Sequence, residues 1–193
     1  MKRMAVITVA LFAFLVGVAA ADRYAPAKGS FVRIEGSSTL HDWTMEGTTI
    51  NGAIIAPPIE QWTGTSAQSD VTVAIPVTSI KSEHEKMDKL MADALKAGTH
   101  PTIQYKLTGA TLAKSGATFT LDTKGQLTIA GVTRDVAMQI TGTPQSTGQY
   151  ALTGQLPIRM SDYGIKPPTA MMGTIKTGND VKVTFRWIVE VKN

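Results

Sequence analysis

The sequence predicts an all-β protein with one amphipathic helix, folded as a closed, up-and-down antiparallel β-barrel of about eight strands. Three observations predict this class. Hydrophobic residues alternate with polar ones over most of the chain, short turns separate the alternating segments, and one segment changes to helical spacing. The 193 residues, 43% of them hydrophobic and 18% charged, are enough for one domain with a sizeable core. This composition excludes a disordered tail, a collagen-like repeat and a long coiled coil.

Residues 1–21 have the three parts of a secretory signal peptide. Lys2–Arg3 supply a basic start, an apolar stretch extends from about Ala5 to Val18, and Ala19–Ala21 supply the small residues of a cleavage site. The apolar stretch is shorter than the roughly 20 residues that a spanning helix needs, which disfavours an uncleaved membrane anchor. We therefore expect a cleaved leader, a barrel domain over 22–193, and a bacterial periplasmic or secreted location.

Charge and cysteine content exclude several function classes. The chain has a net charge of +4, and removal of Lys2 and Arg3 from its 19 basic residues leaves 17 against 15 acidic ones, a net of +2. Nucleic-acid binding needs clustered basic residues, so no nucleic-acid partner is expected. The absence of cysteine excludes disulfide scaffolds, thiolate metal sites and a lipoprotein anchor at the leader.

Strands are predicted wherever the alternation is sustained, most clearly near the C-terminus, where every second residue from Val181 to Val191 is hydrophobic. Alternate side chains of a strand lie on one face, so this strand has an apolar face along its whole length. Shorter alternating sets occur at Ile103, Tyr105 and Leu107; Phe119 and Leu121; Leu127 and Ile129; Val136, Met138 and Ile140; and Leu152, Leu156 and Ile158. The segments 31–35, 43–55 and 71–80 are weaker candidates. Turn residues at 114–116, 130–131 and 142–148 predict antiparallel hairpins.

The predicted helix begins at Ser82 and has about four turns. Ser82 and Glu85 have the spacing of a capping box, in which each side chain accepts a hydrogen bond from the other residue's backbone N–H. Gly98 and His100–Pro101 are expected to end the helix. Its apolar stripe consists of Met87, Leu90, Met91, Ala94 and Leu95.

A sheet with one apolar face must close on itself or pack on a second sheet. Consecutive hairpins favour closure over a sandwich, and eight strands leave an interior that either is filled by side chains or holds one small ligand. Pro76 and Pro157 cannot donate to a strand ladder, so each is expected at a bulge, a strand end or an edge, where the barrel seam can open.

Motifs occur in order along the chain: G-S-S-T-L-H-D-W from Gly36, P-V-T-S-I from Pro76 followed by Asp88 and Leu90, H-P-T-I-Q-Y from His100, G-Q-L-T-I-A-G-V-T-R-D-V from Gly125, S-D-Y-G-I from Ser161 and N-D-V-K-V-T-F from Asn179. Together they resemble the YceI-like family of secreted polyisoprenoid-binding barrels. The resemblance implies an extended, lipocalin-like antiparallel barrel with an internal tunnel for a long-chain isoprenoid or another amphiphile, such as a quinone or a fatty-acid derivative. It implies no reaction. Where the family pattern has bulky aromatic residues, this chain has Ala94–Ala97, which predicts a wider mouth or a different ligand.

The predicted function is therefore non-enzymatic sequestration or carriage of such an amphiphile, without a cofactor. Burying about twenty carbons at about 0.8 kcal/mol each contributes roughly 16 kcal/mol, and association costs roughly 4–15 kcal/mol of it. Flexible methionines suit a wall or lid that must fit a variable chain. The residues predicted to form the lining and lid are Met87, Leu90, Met91, Ile103, Tyr105, Leu107, Phe119, Leu127, Ile129, Met138, Leu156, Ile158, Tyr163, Met171, Met172, Val183, Phe185 and Trp187. Candidates for head-group recognition are Tyr105, Tyr163, Arg159 and Asp162.

The alternatives have weaker support. His84–Asp88 departs from the H-E-x-x-H zinc pattern because Asp88 replaces the second histidine. A copper site of methionines and histidines lacks close Met-x-Met spacing, and neither a G-x-S-x-G elbow nor a glycine-rich phosphate loop is present. No metal is expected, and a homodimer is left open. The remaining alternative is a structural or interaction barrel with a filled interior and no ligand.

Overall fold

The structure is a computed structural model that describes residues 21–58, 65–66 and 69–192. This part of the chain forms thirteen strands and one α-helix. Short 3-10 helices lie at Val77–Ser79, Met160–Tyr163 and Met171–Gly173. The strands and the helix are β1 (Asp22–Pro26), β2 (Phe31–Ser38), β3 (Trp43–Gly47), β4 (Asn51–Ala56), β5 (Thr65–Ser66), β6 (Asp70–Pro76), β7 (Ile80–Lys81), α1 (Glu85–Ala94), β8 (Thr102–Ser115), β9 (Thr118–Ile129), β10 (Val132–Ser146), β11 (Gln149–Arg159), β12 (Thr169–Ala170) and β13 (Ile175–Lys192).

Eight long strands close into an antiparallel barrel, as predicted. Three of them are composite strands, each formed by two consecutive pieces: β1 with β2, β3 with β4, and β6 with β7. Each later strand pairs with the next along the chain, from β6 through β8, β9, β10 and β11 to β13. The last strand, β13, pairs with both β1 and β2, which closes the ring. The predicted leader lies outside the described residues, except for Ala21.

Alternation along β9 shows how the sequence divides inside from outside. Leu121, Leu127 and Ile129 are buried, whereas the intervening Asp122 and Gln126 are exposed. Because successive side chains of a strand point to opposite faces, the hydrophobic set faces the barrel interior. Among the described residues, no helix is both long and apolar enough to span a bilayer.

The first composite strand bends between β1 and β2 around Ile188 of β13. The Ala27 N–H donates to the Ile188 carbonyl at 2.8 Å, and the Ile188 N–H donates to the buried Ser30 hydroxyl at 2.9 Å. These bonds satisfy the backbone of Ile188 where the regular ladder is interrupted. The bend lets one strand follow β13 over nearly its whole length.

The helix is shorter than predicted, and both predicted end signals are wrong. Its N-cap is His84, and the Ser82 N–H and hydroxyl donate to Asp88 Oδ1 at 2.7 and 2.8 Å, so Asp88 takes the place expected of Glu85. At the other end, Lys96 adopts the left-handed conformation with a φ of 55°, two residues before Gly98. The path of the backbone, rather than residue spacing, decides which carboxylate accepts the hydrogen bonds of Ser82.

Both prolines lie where a missing N–H is tolerated. Pro76 is the last residue of β6, and Pro157 pairs with Lys182 of β13. Pairing between β10 and β11 stops at Gly154, so Pro157 faces an open seam between these strands. The 3-10 helix at Met160–Tyr163 contacts both strands and covers this seam. The long turn predicted at 142–148 is wrong, because β10 continues through a bulge to Ser146 and the hairpin turns at 147–148.

Candidate functional site

The barrel encloses a cavity of about 300 Å³, which falls at the lower end of the roughly 300–1,000 Å³ of small-molecule sites. All the space between atoms in this region, including the part that is open to solvent, amounts to about 2130 Å³. The lining residues of β9 extend from Phe119 to Ile129, which at about 3.3 Å per residue and a tilt of roughly 40° gives about 25 Å along the axis. The cavity is therefore elongated, and it is partly open to solvent.

The lining is apolar and contains no charged residue in the described part of the chain. All eight barrel strands contribute to it, together with α1 and the segment that follows β11. Its hydroxyl-bearing residues are Tyr24, Ser69, Tyr105, Thr123 and Thr177. Thr123 is buried and donates to the Met138 carbonyl at 2.8 Å, so its hydroxyl is already engaged. Such a wall favours an aliphatic chain over a charged solute.

Partial exposure of inward-facing residues shows that the interior is hollow. Leu107, Met138, Leu156, Val183 and Phe185 all line the cavity, yet each retains intermediate solvent accessibility. A close-packed core of this size would leave such central residues without accessible surface. Their exposure is to the lumen, which is the free volume that a ligand would occupy.

Four aromatic side chains that line the cavity lie flat against the barrel wall. Each ring covers a glycine of a neighbouring strand so closely that a Cβ on that glycine would come within 3.0 Å of the ring. The glycines therefore let the rings occupy wall space instead of lumen space. The pairs are Trp43 with Gly36, Tyr105 with Gly125, Phe119 with Gly142 and Phe185 with Gly154.

Two chain segments flank the end of the cavity nearest the helix. Met87, Leu90 and Met91 of α1 line one side, and Ile165 and Pro168 line the other. The helix thus covers part of the mouth with an apolar face, as a lid. Ala94 and Leu95 also line the cavity, so the small residues that depart from the family pattern do face the lumen.

Two buried hydrogen-bond donors in the wall have no acceptor within the described residues: Tyr105 Oη and Trp187 Nε1. Burial raises the pKa of the Tyr105 phenol, and the neighbouring Thr123 hydroxyl opposes that rise. Trp187 is 5% exposed, so its indole N–H is also withdrawn from water. Leaving a buried donor unpaired costs roughly 1–3 kcal/mol, which makes these two atoms the main polar features of an otherwise apolar wall.

The structure places most of the predicted site residues on the cavity wall, and three elsewhere. Tyr163 is 3% exposed but belongs to a second hydrophobic cluster at the β10–β11 seam, and it is not among the lining residues. Met171 and Met172 point into solvent. All the other residues of the predicted set line the cavity, and whether a ligand contacts them stays a prediction.

Of the head-group candidates, Tyr105 alone lies on the wall. Arg159 is exposed and forms a 3.7 Å ion pair with Asp180. The Asp162 carbonyl accepts a 2.8 Å hydrogen bond from Arg134 Nε outside the barrel. The two charged candidates are therefore displaced from the lumen, because strand β11 and the following 3-10 helix turn them outward.

The N-terminal half of the chain contributes a part of the lining that sequence reasoning missed. For some of these residues a signal was available, because hydrophobic and polar residues alternate at Val32 and Ile34 and at Val71, Val73 and Ile75. Tyr24 lies in a five-residue strand next to the leader and has no such signal. The missed lining residues of this half are Tyr24, Val32, Ile34, Trp43, Met45, Ile50, Ile54, Val71, Val73, Ile75 and Ile80.

The residues of the near-zinc pattern have structural roles. His84 is the N-cap of α1, and Asp88 accepts the hydrogen bonds of Ser82. No group of three potential His, Cys, Asp or Glu metal ligands occurs among the described residues.

Asp88 is expected to make the lid helix sensitive to acid. Burial raises its pKa, but hydrogen bonds from Ser82 and the Lys81 charge outweigh that effect and hold the pKa below its usual 3.8. Because the folded-state pKa is lower than the unfolded one, ionised Asp88 stabilises the fold above the unfolded pKa, and this contribution is lost as pH falls through the folded pKa. We expect Asp88→Ala to lower the free energy of unfolding by about 1 kcal/mol at neutral pH, and by progressively less as the pH falls below the usual aspartate pKa of 3.8.

Urea unfolding at a series of pH values measures this effect. Asp93→Ala is the matched control, since Asp93 is an exposed aspartate of the same helix that pairs with Lys89 at 2.7 Å. The control is expected to change stability by only a few tenths of a kcal/mol. An Asp88→Ala effect of the same size at every pH would contradict the assigned role of the carboxylate.

Comparisons with known proteins were consistent with this geometry. Residues 21–188 match the family model of the YceI-like domain. Comparison with curated proteins gave no match. The fold is similar to that of a polyisoprenoid binding domain from Saccharophagus degradans implicated in plant cell wall breakdown, with a TM-score of 0.66 and 18% identity over 88% of this chain and 98% of that one.

Two further solved structures share the fold. BcnA of Burkholderia cenocepacia has a TM-score of 0.64 and 18% identity, covering 82% of this chain and 95% of that one. The YCEI protein of Campylobacter jejuni has a TM-score of 0.58 and 17% identity, covering 77% and 84%. At these identities the similarity establishes the fold alone.

Proposed function

The chain belongs to the YceI-like family, and we propose that it is a non-enzymatic binding protein that sequesters or carries a long-chain polyisoprenoid, quinone-like or fatty amphiphile inside its barrel. We propose further that it acts in the periplasm or outside the cell, after removal of the leader over residues 1–21. The polyisoprenoid-binding domain from Saccharophagus degradans supports the ligand class by analogy.

One observation carries this proposal: the elongated cavity is hollow and its described wall has no charged residue. An apolar wall has no group to bind a small ionic substrate or to act as a general base, but it stabilises a hydrocarbon chain along its whole length. Each buried CH₂ contributes about 0.8 kcal/mol, so a chain that fills the lumen binds without polar contacts.

Chain length is expected to control affinity. In a series of saturated fatty acids of increasing length, each added methylene should tighten binding about fourfold, until the lumen is full and the affinity stops rising. Displacement of a fluorescent fatty-acid probe measures the series. An affinity that does not depend on chain length would contradict burial in the cavity.

Protein purified from its native host provides a second test. Extraction with organic solvent followed by mass spectrometry should recover an amphiphile in stoichiometric amount. A filled scaffold barrel without a ligand predicts the opposite result: a blank extract, together with no uptake of any fatty acid in the series.

A further inference from the structure

A cluster of exposed hydrophobic side chains lies beside the mouth of the barrel and is not part of the cavity lining. It consists of Leu40, Met171 and Met172, whose side chains are 65%, 72% and 108% exposed. These are the three most exposed large hydrophobic residues in the described part of the chain. We call this cluster the mouth wedge.

The backbone holds the two methionines outward. Met171 and Met172 have φ values of 52° and 54°, in the left-handed region that residues with a Cβ rarely adopt, and Gly173 follows at 88°. Persistent strain of this kind marks segments whose conformation serves a function. Here the strained turn directs two large apolar side chains away from the barrel.

Hydrogen bonds join the two loops of the mouth wedge into one surface. The Thr39 N–H donates to the Lys176 carbonyl at 3.0 Å, and the Lys176 N–H donates to the Thr39 hydroxyl at 3.1 Å. The Thr39 hydroxyl donates in turn to the Thr174 carbonyl at 3.3 Å. Pro168, on the loop that carries the methionines, and Thr177, at the start of β13, both line the cavity, so the wedge is continuous with the mouth.

The charges around the wedge favour an anionic surface. Lys166, on the loop that follows β11, and Lys176, at the start of β13, are both exposed, and neither forms an ion pair within the described residues. The exposed Asp42, the acidic residue closest in sequence to the wedge, offsets part of this positive charge. Asp180 is paired with Arg159. Exposed lysines beside apolar loop tips combine the two interactions that hold proteins at anionic bilayers.

We propose that the mouth wedge inserts into a lipid bilayer that contains anionic lipids, so that the amphiphile passes directly between the bilayer and the cavity. This inference rests on the proposed function. Exposing a chain of about twenty carbons to water costs much free energy, so a protein that carries such a chain has to exchange it directly with a bilayer. Flexible, unbranched methionines fit disordered lipid chains.

Sedimentation with lipid vesicles tests the proposal. The wild-type protein should bind vesicles of phosphatidylcholine with phosphatidylglycerol about tenfold more tightly than vesicles of phosphatidylcholine alone. The double variant Met171→Asn and Met172→Asn should bind the mixed vesicles at least about tenfold more weakly than the wild type. Asparagine tolerates the left-handed conformation, so the thermal midpoint should not fall. The control is Ile55→Thr, which changes an exposed residue of β4 away from the mouth and should leave vesicle binding unchanged.

Equal vesicle binding by the double variant and the wild type would overturn the proposal, as would no binding by the wild type. Self-association of the wild type that the double variant abolishes, without vesicle binding, would assign the wedge to a second copy of the chain instead. Displacement of the fluorescent fatty-acid probe is measured on the same samples. Probe binding without vesicle binding refutes only this inference, and vesicle binding without probe binding refutes the proposed function.

Discussion

Replacing Val183 by tryptophan is expected to weaken binding of a long-chain fatty acid more than a hundredfold. Val183 lies in β13 between β11 and β2, lines the cavity and retains accessible surface toward the lumen. An indole at this position would block the lumen part-way along its length. Loss of contact with about four methylene groups removes about 3 kcal/mol, which corresponds to more than a hundredfold in Kd.

The effect on stability separates a hollow barrel from a filled one. In a close-packed interior the larger side chain would cost roughly 1–3 kcal/mol, whereas free lumen volume should keep the cost below about 1 kcal/mol. Lys182→Trp is the matched control, because it adds the same ring to the same strand on the outer face and removes only a surface ion pair with Glu35. A large loss of stability in Val183→Trp, with the control unaffected, would argue against the cavity.

The barrel could be predicted from the sequence because most of its long strands pair with the long strand that follows them. From β8 to β13, each long strand pairs with the next long strand along the chain, so the two-residue alternation and the turn at Ala130–Gly131 were sufficient to predict this order. The composite strands were harder to predict. The bend around Ile188 and the 3-10 turn at Val77–Ser79 interrupt the alternation without ending the strand.

Features that depend on side-chain direction could not be predicted from spacing. Met171 and Met172 were expected in the lid, but two successive positive φ values turn them into solvent. Tyr163 was expected in the lining, but it covers the seam left where β10 and β11 separate. The sequence pattern was sufficient to predict the end of the barrel at which these side chains lie, whereas the backbone conformation determines the direction in which they point.

Register is the second property that the sequence leaves open, and it determines the glycine–aromatic pairs. Phe119 of β9 lies directly opposite Gly142 of β10. The alternation pattern alone does not specify this partnership, because shifts of two residues preserve the inward face. A register shifted by two residues would place Phe119 opposite a residue with a Cβ and force its ring into the lumen.

Replacing Gly142 by alanine is therefore expected to destabilise the protein by about 1–3 kcal/mol and to shorten the longest chain that the cavity accepts. The new Cβ would overlap three ring atoms of Phe119, which is nearly fully buried and packs edge-on against Tyr150 at a centroid distance of 6.2 Å. The ring can relieve the overlap only by moving toward the lumen. Urea unfolding measures the first effect, and the fatty-acid length series measures the second.

Rescue distinguishes this ring displacement from a general effect of alanine in a strand. Gly109→Ala is the control, because a Cβ at Gly109 meets nothing within 4 Å and its φ is not positive; this variant should keep wild-type stability and chain-length preference. Combining Gly142→Ala with Phe119→Leu removes the overlapping ring, so part of the lost stability and the acceptance of longer chains should return. If the two substitutions instead destabilise additively, Gly142 does not keep the lumen open by accommodating the Phe119 ring.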